Sequence, residues 1–197
     1  MIIWLNGAYG VGKKQVAYEL QRRLNGATLY DLTKVGTLLN EQLPQELRLA
    51  NDEDYPEWRQ WNLHLLQAIS LNTQGPIIVP QTLTNETYLH EIIGGLRAAD
   101  ITVHHFNLTA TPENIGKRLK QQGNLNNAFT LSHLKSDQKT IAPENFDQEI
   151  DTNEITVTET ANLIAQACSL RIKPPIKNPL LQSAIQWGTA ITQQFHH

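Results

Sequence analysis

Residues 7–14 read GAYGVGKK, directly after the apolar run Ile2-Ile3-Trp4-Leu5. This is G-x-x-x-x-G-K, the phosphate-binding loop pattern, at a strand–turn–helix junction where it has mechanical meaning. Gly7, Gly10 and Gly12 let the main chain turn tightly and present N–H groups to phosphate oxygens. A helical pattern starting near Gln15 adds the partial positive charge of a helix N-terminus, and Lys13 adds a full charge. The expected nucleotide cradle is therefore Gly7, Ala8, Tyr9, Gly10, Val11, Gly12, Lys13, Lys14 and Gln15. Lys14 breaks the pattern. A Ser or Thr is expected there, because its hydroxyl ligates Mg²⁺. A nucleotide or phosphate ligand is expected. Mg²⁺ would have to find other ligands, mostly water and phosphate oxygens, and no protein metal ligand is assigned.

The rest of the chain alternates between strand-length apolar runs and helical spacing. The strand candidates are Ile2–Leu5, Ala27–Tyr30, Ile77–Val79, Ile101–Leu108 and Gln148–Thr152. Between them lie Val16, Leu20 and Leu24; Trp58, Leu65, Leu66 and Ile69; Leu89, Ile92, Ile93 and Leu96; and Ile115 with Leu119. Thr156 and Glu159 form a capping-box pattern ahead of Ala161, Leu163, Ile164 and Ala167. This alternation predicts an α/β fold: a three-layer P-loop sandwich with a parallel sheet, of the nucleotide-kinase type, its ligand at the C-terminal strand ends. Pro76 and Pro80 bracket the third strand.

At 197 residues the chain is expected to hold one P-loop domain, residues 1–170, followed by a Pro-rich linker and an amphipathic helix over 171–197. That last segment carries Leu180, Ala184, Trp187, Ile191 and Phe195 at helical spacing. Its polar face lacks the Lys/Arg of a membrane-surface helix, so docking on its own domain is favoured over membrane association or an oligomer contact. His196 and His197 read as native or as an appended pair. A net charge of −3 with no basic run argues against nucleic acid as a partner. Cys168 has no second cysteine to pair with and reads as a small buried hydrophobe. Met1 leads straight into the first strand without a signal-peptide pattern, and no apolar stretch approaches the roughly 18 residues of a membrane span. The expected location is the cytoplasm.

Several side chains are candidates for chemistry, each with a plainer reading beside it. Asp31 follows the second strand at the rim where an acceptor should sit. It reads as an acceptor base, or as a turn aspartate ahead of Thr33. Arg59 reads as a clamp on an anionic acceptor, or as a helix-surface salt bridge to a nearby Glu. Lys117 and Arg118 precede QQGNLNNA, residues 121–128, a candidate lid. A cation there could meet transferring phosphoryl charge on closure. Pro80-Gln81-Thr82 stands where many such proteins place an Asp. His104 and His105 alternate in one strand, so they face opposite ways and suit no shared metal. Trp58 and Trp61 read as core or as acceptor-pocket wall. Asp151-Thr152-Asn153 reads as a loop-former or as an adenine neighbour.

MIIWLNGAYGVGKK, YDL at 30–32, YPEWRQWN at 55–62, IIVPQT at 77–82, HEIIGGLR at 90–97 and GKRL at 116–119 follow one another in order. The set resembles the bacterial ATP-binding tunicamycin-resistance proteins, from Met1 to about Cys168. The resemblance implies ATP binding, a kinase-like fold and resistance to a nucleoside antibiotic that mimics a UDP-sugar. It favours Arg118 over Lys117 as the functional cation, and a Thr is expected at the position of Lys14. It implies a small-molecule or nucleoside-type phosphotransferase acting through Asp31, Arg59 and Arg118. Lys14, Gln81 and Gln122 (the last where a further arginine is expected) favour the alternative, a nucleotide-dependent binder or sequestering protein without turnover.

Overall fold

Ile2, Ile3, Trp4 and Leu5 are all fully buried, and this one run explains the architecture. Alternate strand residues face opposite sides, so a strand apolar at every position needs a packed layer on each face. The computed structural model describes residues 1–121 and 145–175. The candidate lid beyond Gln121, including Gln122, and the C-terminal amphipathic helix lie outside those residues. Five strands form one sheet in the order β2-β3-β1-β4-β5, every pair parallel. The strands are β1 (Ile2–Gly7), β2 (Thr28–Leu29), β3 (Ile77–Pro80), β4 (Val103–Thr109) and β5 (Gln148–Asp151).

Helices cover both faces. On one, Ile2, Trp4, Ile77, Val79 and Val103 meet α2 (Thr33–Gln42), α3 (Pro56–Asn72) and a composite helix. The composite runs α4 (Glu86–Leu89), a π-helical stretch (His90–Gly94) and α5 (Gly95–Ala98). On the other, Ile3, Leu5, Ile78, Phe106, Leu108 and Ile150 meet α1 (Lys13–Arg23) and α7 (Val157–Ala167). A further helix, α6 (Pro112–Gln121), follows β4 and buries Ile115 and Leu119. Among the described residues no helix is long and apolar enough to cross a membrane.

The parallel sheet and all five strand candidates are found, with shifted ends. α1 starts at Lys13 rather than Gln15, because the glycine turn finishes at Gly12. Two stripe assignments need correcting. Leu65, Leu163 and Ala167 are exposed. The inner face of α3 is instead Trp58, Arg59, Asn62 and Leu66, two polar residues among them. Their polar groups are satisfied inside: Tyr30 Oη donates to Asn62 Oδ1 at 2.8 Å, and Asn62 Nδ2 donates to the Trp58 carbonyl. Burial, with the Asp31 charge beside it, pushes the Tyr30 phenol up to about 12. The capping box at Thr156 and Glu159 is formed, and Cys168 is buried, which pushes its thiol up to about 12. Residues 172–173 are stitched to the end of α1: Ile172 bridges Leu24, and Arg23 Nε donates to the Lys173 carbonyl at 2.7 Å.

Candidate active site

The site grows from the end of β1. Asn6 is a polar residue at the end of an apolar strand, 2 % exposed, and its amide is fully used. Oδ1 accepts from the Gly7 N–H at 2.9 Å and the Leu83 N–H at 3.1 Å; Nδ2 donates to the Leu83 carbonyl at 2.9 Å. It thus locks the segment leaving β3 to the start of the glycine turn. Gly7 has φ +134°, and a Cβ there would lie 2.3 Å from the Leu108 carbonyl oxygen of β4, so no other residue fits. Gly12, with φ +109°, ends the turn and opens α1 without a side-chain cap. The first N–H groups of α1 therefore lack intrahelical acceptors and face the turn, as an anion site requires.

Lys13 Nζ donates to the carbonyls of Gly7 at 2.7 Å and Ala8 at 2.9 Å. Both of these acceptors are neutral carbonyls that a phosphate can replace. Lys14 is exposed. The geometry suits a phosphate chain: three positive-φ glycines, a helix start and a lysine meet at one turn. It suits a protein-bound divalent metal poorly. Lys14 supplies no hydroxyl, Gln81 and Thr82 follow β3 in place of an acid, and no cluster of three metal-ligating side chains occurs among the described residues.

Two flanks border the turn. On the β4–β5 side, Arg118 Nη1 donates to the Val11 carbonyl at 2.9 Å and to Thr152 Oγ1 at 3.0 Å, and Nη2 donates to the Thr152 carbonyl. Asn153 Oδ1 accepts from Thr111 N and Asn114 Nδ2, and Asp151 Oδ1 accepts from Asn153 N. Residues 151–153 thus form a tied loop beside the glycine turn. Lys117 lies apart, in an exposed pair with Glu113.

On the β2–β3 side sits Asp31. Its Oδ1 accepts from Thr33 N at 3.1 Å and Thr33 Oγ1 at 2.6 Å, so the turn role is real. Both Thr33 bonds fall on Oδ1, leaving Oδ2 outside this turn. Arg59 is buried rather than on the helix surface. Nε donates to Glu91 Oε2 at 2.5 Å, Nη1 donates to the Glu53 carbonyl at 2.7 Å, and the guanidinium lies 4.1 Å from the Tyr88 ring centre. The glutamate of the salt-bridge reading is therefore Glu91, on another helix. Asp52 packs against α2 at Gly36, with its carboxyl raised by burial, against a smaller opposing effect of the Asn40 amide. Trp58 is core, its indole N–H on the Leu32 carbonyl, whereas Trp61 is exposed. His105 is buried, with Nδ1 on the Asn145 carbonyl, and burial lowers it to about 4; His104 is half-buried beside Phe106.

Sequence reasoning assigned no role to Asn6 or to Thr82. Asn6 had a signal, a polar residue between a buried strand and the glycine turn. Thr82 had none beyond its place in IIVPQT.

No family model matches the chain, and no curated protein sequence matches it. Solved structures do. A tunicamycin resistance protein from Deinococcus radiodurans is 27% identical, with a TM-score of 0.71 over 88% of this chain and 99% of that one. A sugar kinase from Janibacter is 16% identical, with a TM-score of 0.63 over 86% and 94%. The APS kinase of Mycobacterium tuberculosis, solved with AMPPNP and APS, is 16% identical, with a TM-score of 0.59 over 85% and 96%. The likeness to tunicamycin-resistance proteins carried by the ordered motifs thus extends over nearly the whole of a solved relative. The fold is that of the P-loop kinases, a nucleotide-binding, kinase-like architecture.

Proposed function

We propose that the protein binds ATP on residues 7–15 and transfers its terminal phosphoryl group to a hydroxyl of a small, uncharged, nucleoside-like molecule. The cradle at Gly7–Gly12, with Lys13 held ready on main-chain carbonyls, carries this reading. Bound ATP supplies the phosphoryl group. The acceptor oxygen forms the new bond to the terminal phosphorus, the bond to the bridging oxygen breaks, and ADP leaves. The hydroxyl proton passes to Asp31 Oδ2, the oxygen that the Thr33 turn leaves open. Arg118 steadies the nucleotide side through Val11 and Thr152. Arg59 shapes the acceptor wall. Its charge is matched by Glu91, which favours an acceptor without an anionic group over a UDP-sugar phosphate. The likeness to a tunicamycin resistance protein supports a resistance role against a tunicamycin-like nucleoside, in the cytoplasm.

A second reading is a nucleotide-dependent binder that sequesters its ligand without turnover. Lys14 in place of the metal-ligating hydroxyl, and Gln81-Thr82 in place of an acid, favour it.

Calorimetric titration of ATP, with Mg²⁺ and with EDTA, beside Lys13→Ala tests the common core. Charge-assisted hydrogen bonds contribute roughly 1.5–3 kcal/mol, so the variant should lose about 10- to 100-fold in affinity. No ATP binding by the wild type in either buffer would sink both readings. A mass gain of one phosphoryl group on a nucleoside acceptor separates the enzyme from the binder.

A further inference from the structure

The segment leaving β3 carries a hydroxyl that neither reading uses. Thr82 Oγ1 donates to the Gly7 carbonyl at 2.8 Å. Lys13 Nζ donates to the same oxygen at 2.7 Å. The ammonium that should hold the phosphates and the Thr82 hydroxyl therefore converge on one atom at the mouth of the glycine turn.

The main chain around Thr82 is held from every side. Trp4 Nε1 donates to the Gln81 carbonyl at 3.1 Å, and Gln81 Nε2 donates to the Thr82 carbonyl at 3.1 Å. Leu83 is fully buried and bonded through both its N–H and its carbonyl to Asn6. With these main-chain groups bonded, the Thr82 hydroxyl can respond to a ligand by side-chain rotation alone. Thr82 is half-buried, so that response is open to the turn.

Strand order gives the direction of approach. β3 lies between β1, which ends in the glycine turn, and β2, which ends beside Asp31. Arg118 and Thr152 occupy the opposite flank, beyond β4. A hydroxyl entering from the β3 side meets the phosphate chain at the end nearest the acceptor, its terminal phosphate. An anion there draws Lys13 off the Gly7 carbonyl, and Thr82 can exchange the same carbonyl for a phosphate oxygen. Its O–H donates in both states, so no proton changes hands.

We infer that Thr82 is a positioning residue for the terminal phosphate of bound ATP, donating its hydroxyl from the end of β3. This rests on the nucleotide reading above, and the experiment separates the two. ATP and ADP are titrated calorimetrically into the wild type, Thr82→Val, Thr82→Ala and Thr82→Ser, with thermal unfolding of each alongside. The valine variant is expected to bind ATP about 10-fold more weakly and ADP unchanged, and the serine variant to return ATP to within about 2-fold of wild type. The alanine variant, which adds no methyl, should repeat the valine result if valine disturbs the fold. Equal weakening of ATP and ADP would make Thr82 a structural residue and overturn the inference. So would unchanged ATP binding in both the valine and alanine variants. Absence of ATP binding in the wild type would remove the nucleotide reading itself, and the inference with it.

Discussion

The two flanks of the glycine turn are built on different principles. The β1–β4–β5 flank is joined by hydrogen bonds to main-chain atoms: Asn6 to Gly7 and Leu83, Lys13 to Gly7 and Ala8, Arg118 to Val11 and Thr152. These partners persist whatever side chains surround them, and each cation keeps neutral acceptors that an incoming anion can displace or share. The β2–β3 flank adds side-chain pairs, Arg59 with Glu91, Asn40 with Asp52, Tyr88 with Asp54 and Tyr30 with Asn62, to main-chain bonds such as Arg59 to the Glu53 carbonyl and Trp58 to the Leu32 carbonyl. There the one buried guanidinium already has a carboxylate. A cation held on neutral carbonyls can turn to a phosphate, whereas an arginine already paired with Glu91 is less ready to hold an anion. Under the proposed function this difference would separate the nucleotide side from the acceptor side.

The largest expected effect breaks the junction of the two flanks. Asn6→Ala strips acceptors and a donor from the Leu83 main chain and from Gly7 N in a fully buried place. Buried main-chain groups left unpaired cost about 1–3 kcal/mol each, so a loss of about 3 kcal/mol in denaturant unfolding is expected, with ATP binding weakened in step. A loss no larger than that of a surface substitution would mean the flanks are not locked together here, and the comparison would lose its hinge.

How much of this was legible depends on distance along the chain. The glycine turn was legible because seven consecutive positions carry its chemistry. The strands were legible because Ile2–Leu5 and 77–79 are short runs apolar at every position, bounded by glycine and proline. The α2 segment was not, since its buried Val35, Gly36 and Leu39 make too short a stripe. Leu65 and Leu163 misled, because helical spacing alone does not say which side faces inward. On α3 the inward side was taken by Arg59 and Asn62, polar residues that go inside only because Glu91 and Tyr30 meet them from 32 positions away. The β2–β3 flank was illegible because it is built from pairs that only the fold brings together.

A middle-sized effect sharpens the claim that Arg59 belongs to the wall. Arg59→Met should cost about 2 kcal/mol of stability, less than a fully buried pair because Glu91 is half-exposed. Glu91→Gln should cost under about 1 kcal/mol, since Arg59 keeps the Glu53 carbonyl and the Tyr88 ring. It should also leave the guanidinium with unmatched charge. With ATP analogue bound, titrations of uridine and uridine monophosphate should then shift toward the phosphate form relative to wild type. If the wild type already prefers uridine monophosphate to uridine, Arg59 clamps an anion despite its partner, and the two flanks are alike.

The smallest effect concerns Asp52, the acceptor-side carboxyl that burial raises above its usual 3.8. Its seat depends on Gly36: a Cβ there would lie 1.9 Å from Asp52 Oδ2, so α2 has given up a side chain to admit it. Because the folded value is raised, the protonated form suits the fold better. Its contribution to stability is fully present below about pH 3.8 and is lost as pH rises through the folded value. At pH 7 the group is ionised at a cost, discounted because it is only half-buried. Asp52→Asn keeps an oxygen for the Asn40 amide and removes the charge. It should therefore stabilise the protein at pH 7 by less than about 1 kcal/mol, with the gain vanishing near pH 3.5, as read from urea midpoints at the two pH values. A loss of equal size at both pH values would show that Asp52 acts through hydrogen-bond geometry alone. The gain expected instead would mark Asp52 as a charge retained against stability, and a charge so retained on the acceptor flank is one a hydroxyl-bearing ligand can use.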